Sequence, residues 1–241
     1  MREKLMLIAG CSHTAGSEID GQVDSPHNRQ HSYGNLLATK LGYRPVNIAI
    51  AGYTNSAIAR SVLEWFAENY HDGLDVFVLV GWTESSRIEA PYVFPTWHQE
   101  QNGKMYCDWF SKSSTDFLQI NVNSQVFSDR EKDIQEDYRR FTVNRTEYLE
   151  IVSANLILQL QYFFKYQNVK YLMCNTLCTF SPENEKHLKF YKESIDTRHY
   201  YNELFYHTYA NLGYTNTKAV YGHHGEEPHR LYADALYNFL M

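Results

Sequence analysis

Three things are scarce in this chain. No apolar run approaches the length of a membrane span, and Leu5 to Ala9 is too short to be the core of a signal peptide. Basic residues are outnumbered, with 22 Lys and Arg against 28 Asp and Glu for a formal charge of -6. Those shortages predict a chain without a membrane partner in a cytoplasmic setting, and they exclude the basic footprint of a nucleic-acid binder. Cysteine is sparse too, with four residues at 11, 107, 174 and 178 and no paired ligand spacing. Cys174-x-x-x-Cys178 has no second half-site, so it reads as two buried or half-buried thiols near a strand end rather than half a zinc site.

What is present is enough chain, 241 residues, for one α/β domain with a core that needs no staples. Aromatic residues make up 15 % of it, led by 20 Tyr. Tyrosine joins an apolar ring to a polar tip, which suits half-wet clefts that grip polar ligands such as sugars, or a wide and partly polar core.

Along the chain, Lys4 to Ala9 is a short apolar run closed by Gly10, the signature of a buried parallel strand. Ser17 to Ser32 reads as a polar loop. Tyr33 to Leu41 carries Leu36, Leu37 and Leu41 at helical spacing before Gly42. Val46 to Ile50 is a second strand. Ala57 to Tyr70 is an amphipathic helix with Ile58, Val62, Leu63 and Phe66 inward, started by Thr54, Asn55 or Ser56. A third strand covers Asp75 to Val80. This alternation predicts a mainly parallel sheet with right-handed crossovers. It fails over 91–144, an aromatic-rich insertion within a single 1–241 domain, read as a lid over the crevice or a contact between copies of the chain. Further helices are expected over Glu147 to Gln167, Glu183 to Ile195, His199 to Leu212 and Glu227 to Leu240, with a fourth strand over Val169 to Cys174.

This topology gathers Ser12, Gly52, the Gly81-Trp82-Thr83-Glu84 turn and the His223-His224 pair at one edge of the sheet, where open α/β sheets keep their ligand crevice. A serine nucleophile needs a base to take its proton and donors to hold the oxyanion that its attack creates. His13 and Asn55 lie beside this edge in sequence. Arg87 and Glu89 follow the third turn as substrate or lid contacts, or as a solvated ion pair. His27, His31, His187, His199 and His207 show no ligand spacing and are expected at the surface. His223-His224-x4-His229 lacks a convergent carboxylate set, so neither metal nor cofactor is expected.

Gly10-Cys11-Ser12-His13-Thr14-Ala15-Gly16 resembles the first block of the SGNH (GDSL-like) hydrolases, in the phage and bacterial branch that reads Gly-Cys-Ser. Asn47 to Thr54 is similar to the second block. Gly81-Trp82-Thr83 matches the third, with Thr83 where the family has Asn. His223 falls on the base of the last block, with Ala233 ten residues on. The family's Asp three residues before that His is Val220 here, and Glu226 is the nearest carboxylate in sequence. The alternative register Glu226-Glu227-Pro228-His229 restores the Asp-x-x-His spacing but loses the Ala match.

The resemblance implies a three-layer α/β/α sandwich, SGNH or flavodoxin-like, with Ser12 as nucleophile and His223 as base. Ser12, Gly52 and Thr83 would form the oxyanion hole, and His13, Asn55, Glu84, Arg87 and His224 would line the substrate site. The expected activity is hydrolysis of a small or carbohydrate acyl ester, without a cofactor. Transfer of the acyl group to an alcohol is one alternative. A binding or structural module that has lost catalysis is another, suggested by Val220 and Thr83.

Overall fold

Strand β1 (Glu3–Gly10) lies between β2 (Arg44–Asn47) and β3 (Leu74–Trp82), paired in parallel with both. The computed structural model describes residues 2–91, 96–99, 105–108, 117–120, 136–140, 146–177, 188–214 and 216–241. Its main sheet has the order β2-β1-β3-β8-β9, where β8 is Lys170–Asn175 and β9 is Tyr200–Leu204, and every pairing in it is parallel. All carboxyl ends therefore share one rim. The chain reverses its winding between β1 and β3, which opens a crevice there.

Alternation along the strands builds a core on each face. Leu5, Leu7, Ala9, Val76, Val78 and Val80 pack with helices α4 (Asn55–Asn69) and α5 (Thr146–Tyr166). Met6, Ile8, Phe77 and Leu79 pack on the opposite face with α3 (Tyr33–Leu41) and the terminal helix α8 (Glu226–Leu240). The chain is thus a three-layer α/β/α sandwich around a parallel sheet. Sequence chemistry sets the helix ends: Thr54 accepts from the Ala57 N–H to cap α4, and Gly42 closes α3 with φ +73°.

Several expectations need correction. The stretch read as a loop over Ser17 to Ser32 contains helix α2 (Pro26–His31), capped by the Ser25 hydroxyl. Leu63 faces solvent at 41 % exposure, since two of its neighbours one turn away already fill the stripe that meets the sheet. The expected helix over His199 to Leu212 begins instead as β9, and only Phe205–Asn211 is helical, as α7. Docking beside β8 supplies backbone partners that no local propensity foretells. Helix α6 covers only Lys189–Ser194 of the stretch expected from Glu183.

Most of the 91–144 insertion lies outside the described residues. At its edge, β4 (Ile88–Pro91) pairs antiparallel with β7 (Phe117–Ile120), and within it β5 (Thr96–Gln99) pairs antiparallel with β6 (Met105–Asp108). Tyr138, in a helical stretch at 136–140, donates to the Ser86 carbonyl at 3.2 Å. Cys11 and Cys174 are free and buried, while Cys178 and His187 fall outside the described residues. No described helix is long and apolar enough to cross a membrane.

Candidate active site

Two glycines make the floor of the site. Gly10, the last residue of β1, and Gly81, next to last in β3, lie in register, and a Cβ on either would overlap the Thr14 side chain. Their bareness admits a hydroxyl pair, Thr14 Oγ1 with Tyr33 Oη at 2.7 Å, that pins the one-turn helix α1 (Ser12–Ala15) over the strand ends. Ser12 opens that turn, so its backbone N–H has no acceptor within the helix. Gly16 then reverses the chain at φ +79°, in a space where the Asn28 carbonyl leaves no room for a Cβ.

Two residues later comes the group that sequence reasoning missed. Glu18 has φ +63°, a backbone region that non-glycine residues seldom occupy, and its side chain is 1 % exposed. The turn is held by Glu18 N–H donating to the Gln22 carbonyl and by Asn216 Nδ2 donating to the Glu18 carbonyl. Its carboxylate accepts from the N–H groups of Val220 and Tyr221 and pairs with His223 Nδ1 at 2.6 Å. Burial works to raise the Glu18 carboxyl, but the His223 and backbone hydrogen bonds outweigh it and hold it below the usual carboxylate range.

Position 220 thus contributes its backbone N–H to a carboxylate, in place of a carboxylate of its own. The Val220 side chain is exposed. Glu226, the nearest acid in sequence, pairs elsewhere, with His27. Nothing in the spacing of Glu18 marks it, because its partners lie more than 200 residues away.

His223 is shifted below the ordinary imidazole value, first by burial, with the Glu18 hydrogen bond opposing. A neutral ring whose Nδ1–H donates to Glu18 keeps its lone pair on Nε2, the arrangement of a general base. His13, beside Ser12, packs on His223 with ring centroids 4.6 Å apart. Its burial, with His223 and Arg87 adding to it, keeps His13 neutral, and its Nδ1 is buried without a hydrogen-bond partner. Among the described residues nothing hydrogen-bonds the Ser12 hydroxyl. His223 contacts the segment that carries Ser12 through the His13 ring.

The remaining candidates divide into framework and free groups. Asn55 spends both ends of its amide on the Thr83 backbone, accepting from N–H at 2.9 Å and donating to C=O at 3.1 Å, and also donates to Ser153. It shapes the third turn from the start of α4. The Thr83 hydroxyl is buried with no partner. Gly52 sits at φ +85° with open space where a Cβ would be. His224 is buried against Phe205 and Tyr206 and donates from Nε2 to the Tyr206 carbonyl at 2.9 Å. Arg87 pairs with Glu84 at 2.8 Å, while Glu89 pairs with Arg60 at 2.6 Å, so of the two alternatives for these residues the mutual ion pair is replaced by two others.

No protein-family model matches the sequence, and no curated protein matches it. Solved structures do. The psychrotrophic esterase EstA from Pseudoalteromonas sp., in a form inhibited by monoethylphosphonate, superposes with a TM-score of 0.50 at 11 % identity over 99 % of this chain and 97 % of its own. A carbohydrate esterase family 2 enzyme from Myceliophthora fergusii, solved with its carbohydrate-binding domain, gives 0.52 at 12 % identity over 98 % of this chain. A carbohydrate esterase whose active site displays divergent catalytic and non-catalytic binding functions gives 0.51 at 10 % over the whole chain. This chain spans 65 % of each of the latter two. At these identities the likeness is one of architecture, and the chain shares the three-layer α/β/α fold of these esterases.

Proposed function

We propose that the chain is a serine ester hydrolase of the SGNH type. The observation that carries this reading is the buried Glu18–His223 pair at the rim where β1 gives way to α1 and Ser12. In the proposed mechanism, His223 Nε2 takes the proton from the Ser12 hydroxyl as Oγ attacks the acyl carbonyl. Glu18 holds the ring in the required tautomer and stabilises the imidazolium that forms. The N–H groups of Ser12 and Gly52 and the unpartnered Thr83 hydroxyl stabilise the oxyanion. His223 then gives its proton to the leaving alcohol, and water, activated by the same imidazole, releases the acid. The Ser12–His223 hydrogen bond forms as substrate binds, since such contacts tighten in the bound complex.

Arg87 and Glu84 line the acyl or sugar side. The substrate class is a small or carbohydrate acyl ester, supported by the esterase architecture and the tyrosine-rich composition. Treatment with a fluorophosphonate, followed by turnover of p-nitrophenyl acetate, tests the proposal. Labelling at Ser12 that vanishes in Ser12→Ala is the expected result. A chain that neither labels nor turns over acetyl, propionyl or butyryl esters is a binding module, and the proposal fails.

A further inference from the structure

A second His–Glu constellation sits outside the Ser12 rim. His27 and His31 lie one turn apart on α2, a spacing that puts both rings on one helix face. Their rings stack with centroids 4.0 Å apart. Glu226, the first residue of α8, reaches the same spot from the other end of the chain, with Oε1 3.0 Å from His27 Nε2. One ring nitrogen from each histidine and one carboxylate oxygen of Glu226 all lie within 4.8 Å of one another.

Tautomer control is already in place for one ligand. His31 Nδ1 donates to the His27 carbonyl at 2.9 Å, which leaves the lone pair on its Nε2. A backbone carbonyl fixing the distal nitrogen in this way is the usual support of a metal-bound imidazole. A tetrahedral ion with bonds of about 2.1 Å spaces its ligands by about 3.4 Å, so closing the group requires movements on the order of 1 Å, chiefly from the exposed His27 and Glu226 side chains around a half-buried His31. Two imidazoles and a carboxylate, with a fourth position open to water, suit Zn2+ or Ni2+ rather than Mg2+ or Ca2+, which favour all-oxygen sites.

We infer that His27, His31 and Glu226 form a surface site for a divalent transition-metal ion that clamps α2 to the start of α8. His27 and His31, expected from the sequence to be surface residues without ligand spacing, lie four residues apart on one helix, and the third ligand is 195 residues further on. The clamp would fix the segment just after His223 without entering the reaction.

The test is calorimetric titration of the tag-free, full-length chain with ZnCl2 and with NiCl2, paired with thermal melts. The expected result is one ion per chain at micromolar affinity. Tm should rise by roughly 5 °C at an ion concentration about a hundredfold above Kd. His31→Ala and Glu226→Gln should each weaken binding at least tenfold and remove the Tm rise, while melting like the parent chain in EDTA. His27→Gln provides a third check. Absence of binding at millimolar ion overturns the inference. So does binding that survives all three substitutions, which would assign the ion to thiols elsewhere in the chain.

Discussion

Among the described residues the same chemical pair forms twice, each time joining the amino-terminal part of the chain to its carboxyl-terminal part. Glu18 meets His223 at 2.6 Å with side-chain exposures of 1 % and 12 %, whereas Glu226 meets His27 at 3.0 Å with exposures of 57 % and 45 %. Burial makes these different devices. Around Glu18 two backbone N–H groups and a strained turn leave one geometry, so the carboxylate stays charged and the imidazole stays oriented. Around Glu226 water competes with the partner, the ion pair is worth little, and both side chains remain free to regroup around a cation. Residue type alone does not tell a positioning pair from a surface pair.

The contrast is broken most directly at Glu18. Glu18→Gln should lower kcat/KM for p-nitrophenyl acetate by roughly a thousandfold or more, because the amide no longer stabilises the imidazolium. The variant also gives a signature that a merely structural role would not. Activity requires neutral His223 and falls as pH drops through its folded pKa, which burial already places below 6.5. Glu18 opposes that shift, so its loss should move the acid limb of the pH–rate profile to still lower pH. Stability should fall by about 1–3 kcal/mol as the charged hydrogen bonds to 220, 221 and 223 weaken. Glu226→Gln, melted without metal, should stay within about 0.5 kcal/mol.

Acidification sharpens the comparison next. His13, His223 and His229 are all held below the ordinary imidazole value, by burial first, His229 to about 3. Below pH 6.5 the unfolded chain takes up protons that the folded chain refuses, so stability is complete above that pH and declines below it. Tm should drop by roughly 5 °C or more between pH 7 and pH 5. His229→Asn keeps an acceptor for the Tyr33 N–H, which now bonds His229 Nδ1 at 3.2 Å, and should flatten the decline.

Two glycines, one in the floor of the site and one beside Glu226, give a graded test. Gly81→Ala forces a methyl into the Thr14 and Tyr33 hydroxyls and should cost about 1–3 kcal/mol, read as a fall in Tm with loss of Ser12 labelling. Gly225→Ala, beside Glu226, meets nothing nearer than Asn216 at 3.8 Å and should change Tm by a degree or two at most. The smallest effect is expected at Cys174, pushed up to about 12 by burial, which should resist iodoacetamide at neutral pH in the folded chain.

Much of this was legible before folding. The apolar runs ending at Gly10 and Gly81 announced parallel strands, Gly42 and Thr54 marked helix ends, and His223 stood out as an imidazole whose carboxylate partner the spacing did not name. Strand β9 was not legible, because Tyr200 and Tyr201 serve a helix as readily as a strand until β8 offers its edge. Asn55 looked like a donor for substrate, yet its amide is committed to the Thr83 backbone.

By itself the sequence determined which residues are apolar at period 2 or 3.6, and hence the strands, most helices and the two-faced core, since burial of those stripes is a local pattern read at short range. Only the tertiary structure decided which carboxylate serves which imidazole. Glu18 and Glu226 are equally plain acids in the one-dimensional chain, and the choice between them depends on which is taken out of water and met by backbone N–H groups from residues two hundred positions away.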